Sequence, residues 1–166
     1  ADVELRVRLL ARLAGALRDE PTRDRRDALS AEAVALGRAT GNPATLASAL
    51  VGRAHAITAP DTIAEFETIA TELCEVAEAA GDRERAQAGH VLRVMAQHLR
   101  GEMEGAARDL EIASDIAEGL RQPVHLWEVQ GIRAMLALAE GKLDEAEVLI
   151  EEALRVGKEA LPDPAV

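Results

Sequence analysis

Apolar residues recur three and four positions apart along nearly the whole chain, the spacing of α-helices that each bury one stripe. Residues 124–157 show it plainly. Leu126, Val129, Ile132 and Leu136 precede a Gly141-Lys142-Leu143-Asp144 break, and Leu143, Ala146, Ile150, Ala153 and Leu154 follow. Glu145, Glu147, Glu151, Glu152 and Arg155 fill the rest of that surface. Strand-like alternation of β-branched residues is missing, so the pattern predicts an all-α fold.

The pattern also repeats. Arg53, Arg93 and Arg133 stand forty residues apart, as do Leu36, Val76, Ile116 and Val156, and Ala33, Leu73, Ala113 and Ala153. Helix breakers keep the same interval: Gly41-Asn42-Pro43, Gly81-Asp82-Arg83, Arg121-Gln122-Pro123 and Leu161-Pro162-Asp163. Gly101 and Gly141 mark a second turn inside the unit. A fixed period of this size is the mark of stacked repeats. The reading is four helix pairs, the first about one residue out of register, occupying residues 1–160 as one domain with 161–166 as a Pro-containing tail. A lone pair cannot cover its own apolar stripe, so each pair must stack on the next.

In chain order, Asp2 is expected to cap a helix to about Arg18 with Leu5, Leu9, Leu10, Leu13 and Leu17 inward. Pro21-Thr22 breaks it, and a second helix ends at Gly41. Asn42-Pro43 opens the third as N-cap and first-turn proline. Asp61 or a Thr62…Glu65 capping box starts the fourth. The fifth runs to about Arg100, the sixth from Met103 to Leu120, the seventh from Pro123 and the eighth from Leu143.

Ala146, Ile150 and Ala153, like Ala106, Leu110 and Ala113, give small, large and small residues where the second helix of a tetratricopeptide repeat has them, with Gly141 and Gly101 at that family's inter-helix turn. The chain resembles a divergent tetratricopeptide-like array. It departs from that family in its forty-residue unit against thirty-four, in aliphatic residues at the aromatic positions, and in Phe66 where a small residue is expected. The resemblance implies a right-handed α-solenoid of about four antiparallel helix pairs whose first helices line a concave, partner-binding groove. Its Arg, Ala, Leu and Glu composition resembles the arrays of large actinobacterial ATP-binding transcriptional regulators. That likeness implies a piece of a larger signalling protein, biased by a protein partner or a small-molecule inducer.

Among 166 residues there is one Phe, one Trp and no Tyr, so alanine and leucine must carry the interior. The formal net charge is -11, yet residues 1–40 hold 8 Lys and Arg against 7 Asp and Glu. An acidic surface repels phosphate backbones and anionic lipid, which argues against direct nucleic-acid or membrane binding. The Arg23, Arg25, Arg26 cluster is the basic exception, expected to pair with Asp19, Asp24 and Asp27. A single cysteine, Cys74, fits a reducing cytoplasmic setting.

Candidate chemistry is sparse. His55, His90, His98 and His125 form no zinc-hydrolase spacing, and Cys74 has no partner at ligand spacing. No Gly-x-Ser-x-Gly elbow and no Gly-Lys-Ser/Thr phosphate loop occurs. The expectation is a non-catalytic protein with no metal or cofactor. By the repeat register, the resemblance places Ser48, Val51, His55 and Thr58 in the groove from one unit, Val91, Met95 and His98 from the next, and Glu128, Met135 and Leu138 from the last. Two readings stay open for Met95 and Met135: an adaptable apolar wall for a partner, or packing between helices. Trp127 is expected to be half-buried packing. Alternative functions are a free-standing scaffold holding a peptide or helix in the groove, and a homo-oligomer joined through terminal helices.

Overall fold

The computed structural model describes residues 2–160, and the 161–166 tail lies outside them. Eight α-helices follow one another: α1 (Val3–Ala16), α2 (Asp24–Thr40), α3 (Pro43–Ala56), α4 (Ile63–Ala80), α5 (Arg83–Arg100), α6 (Met103–Leu120), α7 (Pro123–Ala139) and α8 (Leu143–Ala160). One 3-10 turn, Pro60–Thr62, precedes α4, and no strand occurs among the described residues. From α3 on, each helix begins twenty residues after the last.

Local chemistry sets these boundaries. Asp2 accepts from the amides of Glu4 (3.0 Å) and Leu5 (3.3 Å), and Asn42 from Ala44 (3.0 Å) and Thr45 (3.4 Å), each satisfying amides that a helix start leaves open. Gly81, Gly101 and Gly141 take left-handed conformations that let the following residue bond back into the last turn: Asp82 to Ala77, Glu102 to Gln97 and Lys142 to Ala137, at 2.8–2.9 Å. At the α6–α7 turn an arginine, Arg121, adopts φ 55°, and its amide reaches Ala117 at 3.2 Å.

Some local expectations need correction. Helix α1 stops at Ala16, short of Arg18. Thr62 does not cap α4; its hydroxyl donates instead to the carbonyls of Ile57 and Ala59, which ties down the 3-10 turn. Arg23 pairs with Asp61, Arg25 with Glu20, and Arg26 donates to the Arg18 carbonyl, so the basic cluster anchors the α1–α2 and α3–α4 connections rather than pairing with Asp19, Asp24 or Asp27. On α1 the buried residues are Val7, Ala11 and Ala14, while Leu5, Leu9 and Leu13 face outward.

Consecutive helices pack against one another, and α1 also meets α3, α3 meets α5, and α5 meets α7. No two even-numbered helices bring their backbones together among the described residues. The odd helices therefore form an inner row and the even helices an outer one. Glycine permits the closest approach in the inner row: a Cβ on Gly52 of α3 would stand 2.6 Å from that of Ala11 on α1. Hydrogen bonds join this row, from Asn42 to Glu4 (2.8 Å), Arg85 to Ser48 (2.8 Å) and Gln122 to Glu84 (2.9 Å).

One core lies across α1–α5 around Leu50, Phe66, Leu73 and Leu92, and a second across α5–α7 around Val94, Ala113, Val129 and Ile132. Each of the valine, leucine, isoleucine and phenylalanine side chains among these, once buried, contributes about 1.5–3 kcal/mol. Trp127 is half-buried and packs on Gly157 of α8, where a Cβ would come within 3.0 Å of the indole. The α6–α7 junction, at the Arg121 turn, is the least closely packed of the consecutive pairs.

Candidate functional site

The inner row opens onto two cavities. The first, of about 520 Å³, lies between α1, α3 and α5; Arg8, Arg12, Ser48, Val51, His55 and Arg85 line it over a floor of Ala11 and Gly52. The small floor is a direct product of the close α1–α3 approach, since any side chain on Gly52 would strike Ala11. The second, of about 360 Å³, continues from the same His55 toward Arg18, Thr58, Val91, Met95 and Glu128, with Arg26 and Phe66 also on its wall. His55 belongs to both, so together they form one trough along the inner face.

Seven residues expected in the groove line this trough: Ser48, Val51, His55, Thr58, Val91, Met95 and Glu128. His98, Met135 and Leu138 do not. Met135 packs against the second core, and Leu138 is exposed on α7. His98 has a buried Nδ1 without a hydrogen-bond partner among the described residues. Met95 packs against the first core and also borders the trough.

The electrostatics of the trough depend on which charges are already engaged. Arg85 pairs with Asp82 and donates to Ser48; Glu84 accepts from Gln122, and Glu128 from the buried Gln87 at 3.0 Å. Arg8, Arg12, Arg18 and Arg26 have no carboxylate within ion-pair distance among the described residues. Arg26 moreover holds a buried Nε without a partner among the described residues. The His55 ring keeps an edge open to solvent, yet the walls desolvate it and Arg18 repels its charged form, so its pKa lies below the ordinary imidazole value.

A second polar cluster lies away from the trough, between α5 and α6. Asp109, 3% exposed, accepts from His90 Nδ1 at 2.7 Å and Arg93 Nε at 2.8 Å, and His90 Nε2 lies 3.1 Å from Glu78. Burial alone would raise the Asp109 pKa; the bonds from Arg93 and His90 outweigh it and hold the carboxyl below the ordinary range. Sequence reasoning missed this cluster, though a signal was present: Leu29, Ile69 and Leu149 occupy the column in which Asp109 stands. Arginine recurs in the same role. Arg53 bonds to Asp27, Ser30 and Glu65, and Arg133 to Ser114 at 2.9 Å, so the forty-residue arginine series links helices.

Cys74 is buried against Gly89, and burial pushes its thiol up to about 12. No group of three or more His, Cys, Asp or Glu is placed to hold a metal ion among the described residues. Nor is any of their helices long and apolar enough to cross a membrane. Comparison with known proteins finds no matching family model, no matching curated protein and no matching solved structure.

Proposed function

We propose that this chain is a non-catalytic interaction and sensing module that receives a protein or peptide partner in the inner-row trough. The observation that carries the reading is the odd-helix row itself, whose side chains open onto two cavities joined at His55. In this reading the helices form a tetratricopeptide-like, right-handed solenoid with a forty-residue unit, working in the cytoplasm as part of a larger bacterial signalling or transcriptional regulator. Partner binding then biases the neighbouring domains. A photoreactive side chain placed at Thr58, in the trough, and separately at Glu111, on the outer helix α6, tests the site with a peptide library. Adducts from Thr58 alone support it, and adducts from Glu111 alone overturn it. The regulator part is tested by the full-length gene product: a phosphate-binding loop or helix-turn-helix beside this segment supports it, and a product confined to these residues sinks it.

A second reading, self-association through the terminal helices, has its own observation. Leu5, Leu9 and Leu13 stand forty residues before Thr45, Ala49 and Arg53, which are buried in the array, yet the three leucines are exposed. At the other end, exposed Ile150 and Leu154 stand forty after Leu110, which packs on the second core, and Ser114, which bonds to α7. A second copy stacking its α1 on this α8 covers both faces. Head-to-tail contacts of this kind propagate. Sedimentation equilibrium should therefore show growth with concentration, reduced to dimers in a mixture of Leu9→Glu and Leu154→Glu proteins. A monomer at every concentration refutes this second reading.

A further inference from the structure

The chain carries 30 acidic residues against 19 basic ones, so carboxylates are abundant, and most of its arginines have one. Five arginines line the trough; Arg85 is paired with Asp82, and the other four are different. Arg8, Arg12, Arg18 and Arg26 come from α1, the stretch after it, and α2, and they converge on the cavities without an acidic partner among the described residues. The two carboxylates on the trough wall, Glu84 and Glu128, are engaged by Gln122 and Gln87. Both keep their negative charge, since an amide partner is neutral, so the wall sets five arginines against two carboxylates, an excess of positive charge that favours an anionic occupant.

The rest of the wall narrows the chemistry of that ligand. Val51 lines the first cavity beside Arg8 and Arg12, and Val91 and Met95 line the second beside Arg18, which suits a molecule with both apolar and charged parts. Two cavities in line exceed what one small inorganic anion fills. A polyanion of high charge density, such as a nucleic acid, would meet stronger repulsion from a molecule of net charge -11 than a short acidic peptide does. We infer that the trough recognises an acidic peptide segment, with Arg8 and Arg12 at one end and Arg18 at the other holding its carboxylates, and Val51, Val91 and Met95 receiving its apolar side chains. Arginine forks match carboxylates in paired hydrogen bonds, which fixes the register of the segment as well as its charge.

This inference rests on the trough being the binding site, and the test separates the two. The intact chain is applied to an array of peptides that combine Asp and Glu with Leu, Val and Met, and to a second array in which Asn and Gln replace every Asp and Glu. Binding to the acidic array alone is expected, weakening as salt is raised and falling on the order of tenfold for each of Arg8→Gln, Arg12→Gln and Arg18→Gln. These three side chains are exposed, so the variants should keep the helical content and melting temperature of the parent, read by circular dichroism. Equal binding to both arrays, lost in Met95→Glu and unchanged in the arginine variants, overturns the acidic preference and leaves the trough as the site. Acidic binding unaffected by the arginine variants places it elsewhere and overturns the inference. No binding on either array overturns the inference and the trough reading together.

Discussion

Arg93 of α5 and Asp109 of α6 form an ion pair in which the carboxylate is 3% exposed and the Nε–H···O distance is 2.8 Å. Together with His90 on the other side of the carboxylate, this pair fixes the rotation of α6 about its axis, because Asp109 has to face α5 to be satisfied. A charge in that position is tolerated only with partners in place, since an unpaired buried carboxylate is costly.

Removing the carboxylate should be severe. Asp109→Ala leaves Arg93 and His90 without their shared acceptor and should destabilise the chain by about 3 kcal/mol, read from urea unfolding at neutral pH. The pH dependence follows in sign. The folded pKa lies below the unfolded one, so the contribution is present above the ordinary carboxylate range and is lost as pH falls through the folded value. The gap between parent and variant should therefore close in acid; a gap that stays constant would show that the effect is one of shape alone.

Arg121 holds a left-handed conformation that glycine holds at the other turns, at Gly41, Gly81, Gly101 and Gly141. The left-handed penalty for a residue with a Cβ is roughly 1–2 kcal/mol, set against roughly 0.5–1 kcal/mol for the added freedom of an unfolded glycine. Arg121→Gly should accordingly stabilise the chain by about 0.5–1 kcal/mol and raise its urea midpoint. A lowered midpoint would mean that the arginine side chain makes a stabilising contact that outweighs its backbone.

Gly89→Ala places a methyl group 2.8 Å from Cys74 Sγ and 3.0 Å from the Cys74 backbone nitrogen. The backbone cannot swing aside as a flexible side chain would, so α4 and α5 must separate. A loss of about 1–3 kcal/mol is expected in thermal or urea unfolding. Retention of parental stability would show that the pair slides without cost.

The Cys74 thiol, pushed up to about 12 by burial, is neutral at physiological pH and shielded. Reaction with a disulfide reagent at mildly alkaline pH should be slow in the folded chain and fast in urea, with a rate that tracks opening of the α4–α5 contact. Rapid labelling of the native protein would contradict that packing.

Helix boundaries were legible because they depend on neighbours in sequence. Asp2, Asn42-Pro43 and the glycines at 81, 101 and 141 act within a few residues, and the helices begin and end where they predict. Faces were harder to read at the array's ends. On α1 the leucines Leu5, Leu9 and Leu13 outrank Val7, Ala11 and Ala14 in size, yet the smaller residues are inside because α1 must approach α3 at Gly52. The trough was legible in seven of its residues, from register. Its unpaired arginines were not, because pairing depends on which carboxylates the fold brings near: Glu32 reaches Arg6 while Arg8 and Arg12 go without.

Because the odd helices bring their backbones together while the even ones meet through side chains such as Arg38 and Glu72, the row closes more tightly on its inner side and describes an arc. Its radius is set by the bulk at a few inner contacts. At Gly52 a Cβ would strike Ala11, so the size of one residue there governs how sharply the arc bends and how wide its mouth opens. Substitutions of equal volume on the outer rim, where no neighbouring backbone waits, would leave that bend unchanged.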